Sequence, residues 1–90
     1  MVTKAIADTA FHPGEYLQEE IDERRMSQRE LARQMGRPYQ SVNEILRCRK
    51  AVTAETALDL ERVLGGDAET WLNLQMIYDL TTARQRRAVG

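Results

Sequence analysis

The sequence predicts an all-α domain of five helices, and three observations lead to this fold class. Apolar residues recur at intervals of three and four through most of the chain, as on amphipathic helices, and not with the alternation of half-buried strands. Helix-capping residues stand before several of these stretches, and glycines follow two of them. Ninety residues can bury one modest hydrophobic core but not two, so we expect a single domain.

The first helix is predicted to begin at His12 and Pro13, because proline is tolerated in the first helical turn. Glu15 lies where the positive end of the helix dipole favours a carboxylate, and Leu17 and Ile21 form an inward stripe. The outer positions of this helix are acidic: Glu19, Glu20, Asp22 and Glu23. This acidic face is predicted either to be solvated or to dock a basic partner.

Residues 1–11, before this helix, show no clear apolar period and are predicted to form a flexible arm. They lack the long apolar stretch of a secretory signal, and no part of the chain approaches the ~20 apolar residues needed to cross a bilayer. We therefore expect a cytoplasmic protein with no membrane partner.

Residues 27–46 predict two short helices joined by a tight turn. Ser27 and Glu30 have the spacing of a capping box, so the second helix should begin directly after Ser27. Gly36 can end that helix in the left-handed conformation, and Pro38 is expected in the first turn of the third helix. The inward stripes are Leu31, Ala32 and Met35 in one helix and Val42, Ile45 and Leu46 in the other.

The outer face of the third helix is polar and consists of Tyr39, Gln40, Asn43, Glu44 and Arg47. Two short helices in this arrangement form a helix-turn-helix, whose second helix enters the major groove of DNA. Residues 27–50 contain six basic residues against two acidic ones, whereas the whole chain has a net charge of −1. This concentration of positive charge favours phosphate contact. The alternative is an ordinary helical hairpin in a small bundle.

The fourth helix is predicted to start after Thr53 and to stop at Gly65 and Gly66, with Ala57, Leu60, Val63 and Leu64 on its inner side. Asp67 would cap the fifth helix, which should run from Ala68 to about Thr82 or beyond. The domain is thus expected to span residues 12–82, and residues 83–90 are predicted to be a fraying basic tail.

The fifth helix has apolar residues on two faces. Trp71, Leu74 and Tyr78 form one stripe, and the other is formed by Leu72, Met76, Ile77 and Leu80. A surface helix of a small monomer needs only one apolar face, so the second stripe predicts a symmetric homodimer. The alternative is that both stripes pack into one broad core.

No residues point to catalysis, a metal or a cofactor. Cys48 is the only cysteine, which excludes an internal disulfide and a multi-cysteine zinc site. His12 is the only histidine, and beside Pro-Gly-Glu it is predicted to cap a helix. The neighbouring carboxylates of the first helix do not face each other, and no nucleophile or glycine-rich phosphate loop accompanies them. We therefore expect a protein that is not an enzyme.

Four blocks in order resemble one family: HPGEYLQEEI, the SQRELARQMG–VNEIL pair, AVTAETALDL and WLNLQMIYDL. From His12 to about Leu80 the chain is similar to HigA-type antitoxins of bacterial toxin–antitoxin modules, within the phage-repressor-like (XRE) helix-turn-helix proteins. The resemblance implies a five-helix repressor-like dimer that binds an operator in its own promoter. It also implies a HigB-type toxin partner, resembling the RelE ribonucleases that cut messenger RNA. A free-standing XRE-type regulator without a toxin is the alternative.

The resemblance also implies roles for individual residues. Tyr39, Gln40 and Asn43 would face the major groove, and Glu44 would either accept from cytosine or repel phosphate and narrow the choice of site. Phosphate contacts would come from Ser27, Gln28, Arg37, Arg47, Arg49 and Lys50. The sequence departs from the family at RCRK, where Cys48 replaces a usual glycine. A non-glycine residue in the left-handed region costs ~1–2 kcal/mol, unless the helix ends differently here.

Overall fold

Five helices make up the part of the chain that the structure describes. The structure is a computed structural model, and it describes residues 10–89. The helices are α1 (Pro13–Glu23), α2 (Gln28–Met35), α3 (Tyr39–Leu46), α4 (Ala54–Leu64) and α5 (Ala68–Val89), with no strand between residues 10 and 89. The predicted all-α, five-helix fold is confirmed. Residues 1–9 of the predicted arm lie outside the described residues.

Helices α1 and α2 begin at the capping residues found in the sequence. The His12 imidazole Nδ1 accepts a hydrogen bond from the Gly14 N–H at 2.9 Å, and the Glu15 carboxylate accepts one from the His12 N–H at 3.2 Å. The hydroxyl of Ser27 accepts from the Glu30 N–H at 3.0 Å, as predicted. The reciprocal half of the Ser27 capping box is absent from α2, however, because the Glu30 carboxylate instead accepts hydrogen bonds from side chains of its own helix.

The inward stripes meet in one core. Its most deeply buried side chains are the predicted ones: Leu17, Ile21, Leu31, Val42, Ile45 and Leu60. Helix α1 lies so close to α3 that a Cβ built on Gly14 would be 2.0 Å from the Ile45 carbonyl oxygen. Helix α3 therefore packs directly against the backbone of α1 and has little freedom to move on its own.

Helix α5 covers the core with one face and exposes the other. Trp71 is buried, and Leu72 and Leu74 pack partly against the core. Met76, Ile77 and Leu80 are 51%, 46% and 44% exposed. The alternative of a single broad core is thus wrong for these three residues, because they lie on the side of α5 that no other described element covers.

The helix also continues further than the sequence predicted. Residues 83–89, expected as a fraying tail, form its last two turns, with Arg84, Arg86 and Arg87 exposed. Alanine, arginine and glutamine are good helix formers, and arginines are favourable at the negative end of the helix dipole. Between residues 10 and 89, no helix combines the length and the apolar character needed to cross a membrane.

Candidate nucleic-acid interface

The two helices of the predicted helix-turn-helix are joined by a turn that Gly36 makes possible. Gly36 adopts φ +70°, the left-handed conformation, and its N–H and that of Arg37 bond back to carbonyls of α2. Pro38 precedes α3 as its N-cap residue, one position earlier than the first-turn place expected from the sequence. Helix α3 then buries Val42, Ile45 and Leu46, which turns the opposite, polar side away from the core.

The outer face of α3 carries the residues predicted to read bases. Tyr39 and Gln40 are exposed, whereas Asn43 and Glu44 are half-buried. The Asn43 amide nitrogen donates a hydrogen bond to the Gln28 side-chain oxygen at 2.8 Å. This hydrogen bond joins the start of α2 to the middle of α3. It links Gln28, a predicted phosphate contact, to Asn43, a predicted base contact.

Arg29 lies beside this face, and sequence reasoning did not single it out. Its guanidinium carbon stands 4.5 Å from the centre of the Tyr39 ring, a cation–π arrangement. The stack holds a positive charge next to an exposed aromatic ring at the facing starts of α2 and α3. The sequence did contain a sign of this contact, because Arg29 lies in the first turn of α2 and Tyr39 in the first turn of α3.

The loop after α3 supplies further positive charge. Arg47, Arg49 and Lys50 are exposed, and the Arg49 N–H bonds to the Glu44 carbonyl at 2.8 Å. Cys48 adopts φ +63°, which is the left-handed conformation that favours glycine. Burial raises the pKa of the Cys48 thiol. The expected backbone strain is therefore present directly between two predicted phosphate contacts.

Arg37 has a protein partner. Its Nε donates to an Asp59 carboxylate oxygen at 2.6 Å, and this hydrogen bond is the main reason why the pKa of Asp59 lies below its usual value. Arg62 approaches the same carboxylate at 3.4 Å and donates to the carbonyl oxygens of Gln34 and Met35 at the end of α2. Arg37 thus ties the turn to α4, and its role at a phosphate stays a prediction.

Two titratable side chains, Glu30 and His12, are engaged within the protein. Hydrogen bonds from Arg33 and Gln34 lower the pKa of Glu30 to about 2. The His12 ring is buried and lies edge-on to Tyr78 with a centroid separation of 4.8 Å, and burial lowers the pKa of its imidazole. His12 is therefore a helix cap packed in the protein interior, in agreement with the sequence.

The arrangement of α2 and α3 has counterparts in known proteins. A family model described as Helix-turn-helix matches residues 17–71, more than half of the chain. The chain belongs to this helix-turn-helix family. Its matched segment begins in α1 and ends in α5, so it includes the turn, the outer face of α3 and the basic loop.

Several relatives of this helix-turn-helix protein are close. Virulence-associated protein I of Dichelobacter nodosus is 46% identical over 77 residues, which are 84% of this chain and 71% of that protein. The solved structure of antitoxin GraA is 45% identical, with a TM-score of 0.85 over 88% of this chain and 86% of its own. The Pseudomonas aeruginosa antitoxin HigA, solved with the higBA promoter, is 34% identical, with a TM-score of 0.85 and coverage of 89% and 88%.

These similarities confirm the resemblance to HigA-type antitoxins that four blocks of the sequence indicated. Proteins of this helix-turn-helix family are DNA-binding regulators and antitoxins and are in general not enzymes. The roles assigned to individual residues at bases, at phosphates and at a second subunit stay predictions.

Proposed function

We propose that this helix-turn-helix protein is a dimeric antitoxin that represses its own operon by binding operator DNA and neutralises a HigB/RelE-like toxin. The observation that carries the proposal is the polar outer face of α3, with exposed Tyr39 and Gln40 beside an Asn43 held by Gln28. A helix whose inner side is anchored in the core and whose outer side offers amides has the chemistry needed to recognise base edges in a major groove.

Base recognition would come from the amides of α3. Gln40 and Asn43 can each donate to and accept from an adenine, which is worth ~1–3 kcal/mol of discrimination per base. The bond from Asn43 to Gln28 limits the rotamers of the Asn43 side chain before DNA arrives, so less side-chain entropy is lost on binding. Glu44 is half-buried at the edge of this face, where its charge would repel a phosphate that comes too close.

Phosphate contacts would surround this reading face. The N-terminus of α2, with Ser27 and Gln28, offers backbone N–H groups and the positive end of a helix dipole. The exposed basic residues Arg47, Arg49 and Lys50 follow α3 directly. Such contacts position the protein without reading sequence, and each one that is removed should reduce the salt dependence of binding by about one unit of slope.

The test is a double variant, Gln40→Ala with Asn43→Ala, titrated against two fluorescent duplexes. One duplex carries the DNA directly upstream of the coding sequence, and the other carries a scrambled sequence of the same composition. We expect the wild type to prefer the upstream duplex by ~10³-fold or more and the variant to bind both weakly, with the salt sensitivity retained. A preserved preference in the variant would show that other residues read the bases. Lys50→Ala, which should weaken binding to both duplexes equally, is the matched control.

The dimer would form through α5. Met76, Ile77 and Leu80 are exposed apolar side chains on one side of this helix, and Leu72 lies at the border of the stripe, partly packed in the core. A second copy that covers this stripe would remove apolar surface from water and would present two α3 helices to half-sites ~34 Å apart. Met76→Glu should convert the dimer into monomers in sedimentation experiments, and an unchanged dimer would exclude this surface.

The toxin would bind the acidic outer side of α1. Two adjoining grooves of 340 and 130 Å³ share Tyr16 and Glu19 in their walls. Carboxylates from Glu15, Glu19, Glu20 and Asp67 line them. Among residues 10–89 the one cation in their walls is Arg24, which is bonded to Glu20 and to the Leu64 carbonyl. The grooves also have aromatic residues in their walls, Phe11, Tyr16 and Trp71. Aromatic rings and negative charge together suit the arginine and lysine side chains of an RNA-binding protein, whereas the negative charge would repel DNA phosphates.

Glu19→Arg combined with Tyr16→Ala should abolish co-purification of the toxin encoded beside this gene and the rescue of growth from that toxin. Glu23→Arg changes an exposed carboxylate of the same helix that does not line the grooves, so binding should be preserved. Equal binding by both variants would place the toxin elsewhere on the antitoxin. If no neighbouring reading frame yields a protein that binds, the free-standing regulator is the correct function.

A further inference from the structure

The exposed side of α5 has a regular arrangement along its whole length. At 3.6 residues per turn, Glu69, Met76, Leu80 and Arg87 fall within ~40° of one another around the helix axis. Trp71 and Gln75, which are buried, lie on roughly the opposite side. One stripe therefore begins with an acid, continues with exposed apolar side chains and ends with a base, and all of it faces away from the core of its own subunit.

The two ends of this helix carry opposite charge. At the N-terminal end, the carboxylates of Glu61, Asp67 and Glu69 lie within 4.8 Å of one another. At the C-terminal end, Arg84, Arg86 and Arg87 are all exposed. Glu61 accepts a hydrogen bond from the Ala68 N–H, so it belongs to the start of α5 as well. The separation between the ends is ~27 Å, from eighteen residues at 1.5 Å each.

The stripe is symmetric about the level of residue 78. Met76 and Leu80 stand two positions on either side of it, and Glu69 and Arg87 stand nine positions on either side. A second α5 placed antiparallel would therefore bring each apolar residue against an apolar one and each acid against a base. A parallel placement would bring Glu69 against another Glu69 and arginine against arginine, which is repulsive.

Accordingly, we infer that α5 specifies an antiparallel twofold pairing with a second copy of this chain, in which Met76 packs on the partner's Leu80 and Glu69 pairs with the partner's Arg87. This inference rests on the proposed dimer and adds its direction and register. The apolar contacts drive association, and the two ion pairs at the rim select the orientation, as charged flanking positions do in coiled coils.

The pairing also limits the angle between the helices. At the ~20° crossing of 3-4 packing, points ~13 Å from the crossing are offset sideways by ~5 Å, which adds only ~1 Å to an interaxial distance of ~9 Å. At the ~50° crossing of 4-4 packing the sideways offset is ~11 Å, and the distance between the axes grows by ~5 Å. The two ion pairs therefore favour a shallow crossing of the helices.

The test is a charge exchange measured by sedimentation equilibrium at low salt on the full chain. Glu69→Arg and Arg87→Glu should each raise the dimer dissociation constant about tenfold, because both symmetric pairs become repulsive. The double variant restores an acid opposite a base and should return to within about threefold of the wild type. Both changes are unfavourable to the dipole of α5, so recovery in the double variant cannot come from a more stable helix. Arg86→Glu, a neighbouring arginine outside the stripe, is the matched control and should have little effect.

A double variant as weak as the single variants would overturn the antiparallel register. Dimers that withstand Met76→Glu would overturn the use of this face altogether. DNA reading is measured separately with the Gln40 and Asn43 variant, so a failed register leaves that result unaffected. At high salt the difference between single and double variants should shrink, because rim ion pairs are screened.

Discussion

Replacement of Gly14 by alanine should push α3, the helix proposed to read DNA, away from α1, the helix that supports it. A Cβ at this position would meet the Ile45 carbonyl oxygen at 2.0 Å and its carbon at 3.0 Å, and both are backbone atoms that cannot rotate away. Ordinary contact needs about 3.4 Å, so α1 and α3 must move apart by ~1.4 Å or the start of α1 must unwind. Overpacking of this kind costs ~1–3 kcal/mol and occasionally more.

The assays are thermal unfolding and DNA binding on the same preparation. A loss of ~2–3 kcal/mol should lower the Tm of a domain of this size by roughly 10–20 °C. Because α3 carries the amides proposed to read bases, its displacement should also weaken binding to the upstream duplex far more than binding to the scrambled one. A variant that still folds at low temperature allows the second measurement there.

Gly36→Ala is the matched control, since it also adds one methyl group to the helix-turn-helix. Nothing lies within 4 Å of a Cβ at Gly36, but its φ of +70° imposes the left-handed strain of ~1–2 kcal/mol on alanine. The control should therefore lose stability without losing base preference once folded. If Gly14→Ala had the Tm and the base preference of the wild type, the close contact between α1 and α3 would not determine the position of α3.

Three further changes have outcomes that the structure determines. Cys48→Gly should raise the Tm by a few degrees, because relief of ~1–2 kcal/mol of left-handed strain at φ +63° exceeds the ~0.5–1 kcal/mol entropic cost of glycine; an unchanged or lower Tm would contradict this. The pKa of His12 in the folded protein is below the 6.5 of the unfolded chain, so the unfolded state binds more protons. Stability should therefore fall as the pH drops from about 6.5 toward the pKa of the folded state. His12→Asn keeps a helix cap and should flatten this part of the curve of Tm against pH. Arg29→Lys should weaken DNA binding about two- to fivefold at an unchanged salt slope, whereas Arg29→Ala should also reduce the slope; identical affinities for lysine and arginine would show that the stack on Tyr39 is not used.

Local signals in the sequence were enough to predict the order of the helices and the residues they bury. His12, Ser27 and Thr53 satisfy the first N–H groups of their helices through bonds that span two or three residues, so short motifs reveal them. The same holds for inward stripes, because spacing along one helix determines a shared face. The end of α5 was placed too early, since its apolar pattern stops at Leu80 while helix-forming residues continue to the end of the described chain.

Contacts between residues far apart in the sequence could not be predicted from short motifs. The bonds from Asn43 to Gln28 and from Arg37 to Asp59 join residues 15 and 22 positions apart, and they depend on how the helices pack. The charge of Arg37 was visible in the sequence, and it led to the prediction of a phosphate contact, whereas the bond to Asp59 was not visible. The outer face of α3, which carries the residues predicted to read bases, could be located from the sequence, since a polar face opposite a buried stripe is a property of one helix.

The structure also connects the surface proposed for dimerisation with the loop proposed for phosphates. The Gln75 side chain of α5 accepts a hydrogen bond from the Val52 N–H at 2.8 Å, in a buried position two residues after Lys50. Tyr78, three residues further along α5, packs edge-on against the ring of His12, the N-cap residue of α1. A change in the orientation of α5 must therefore carry the loop with it or leave the buried Val52 N–H unpaired, which costs ~1–3 kcal/mol. Helix α3 leads directly into that loop. The pairing of two α5 helices would therefore set the distance between the two α3 helices of the proposed dimer. That distance would determine which spacing of DNA half-sites the dimer can bind.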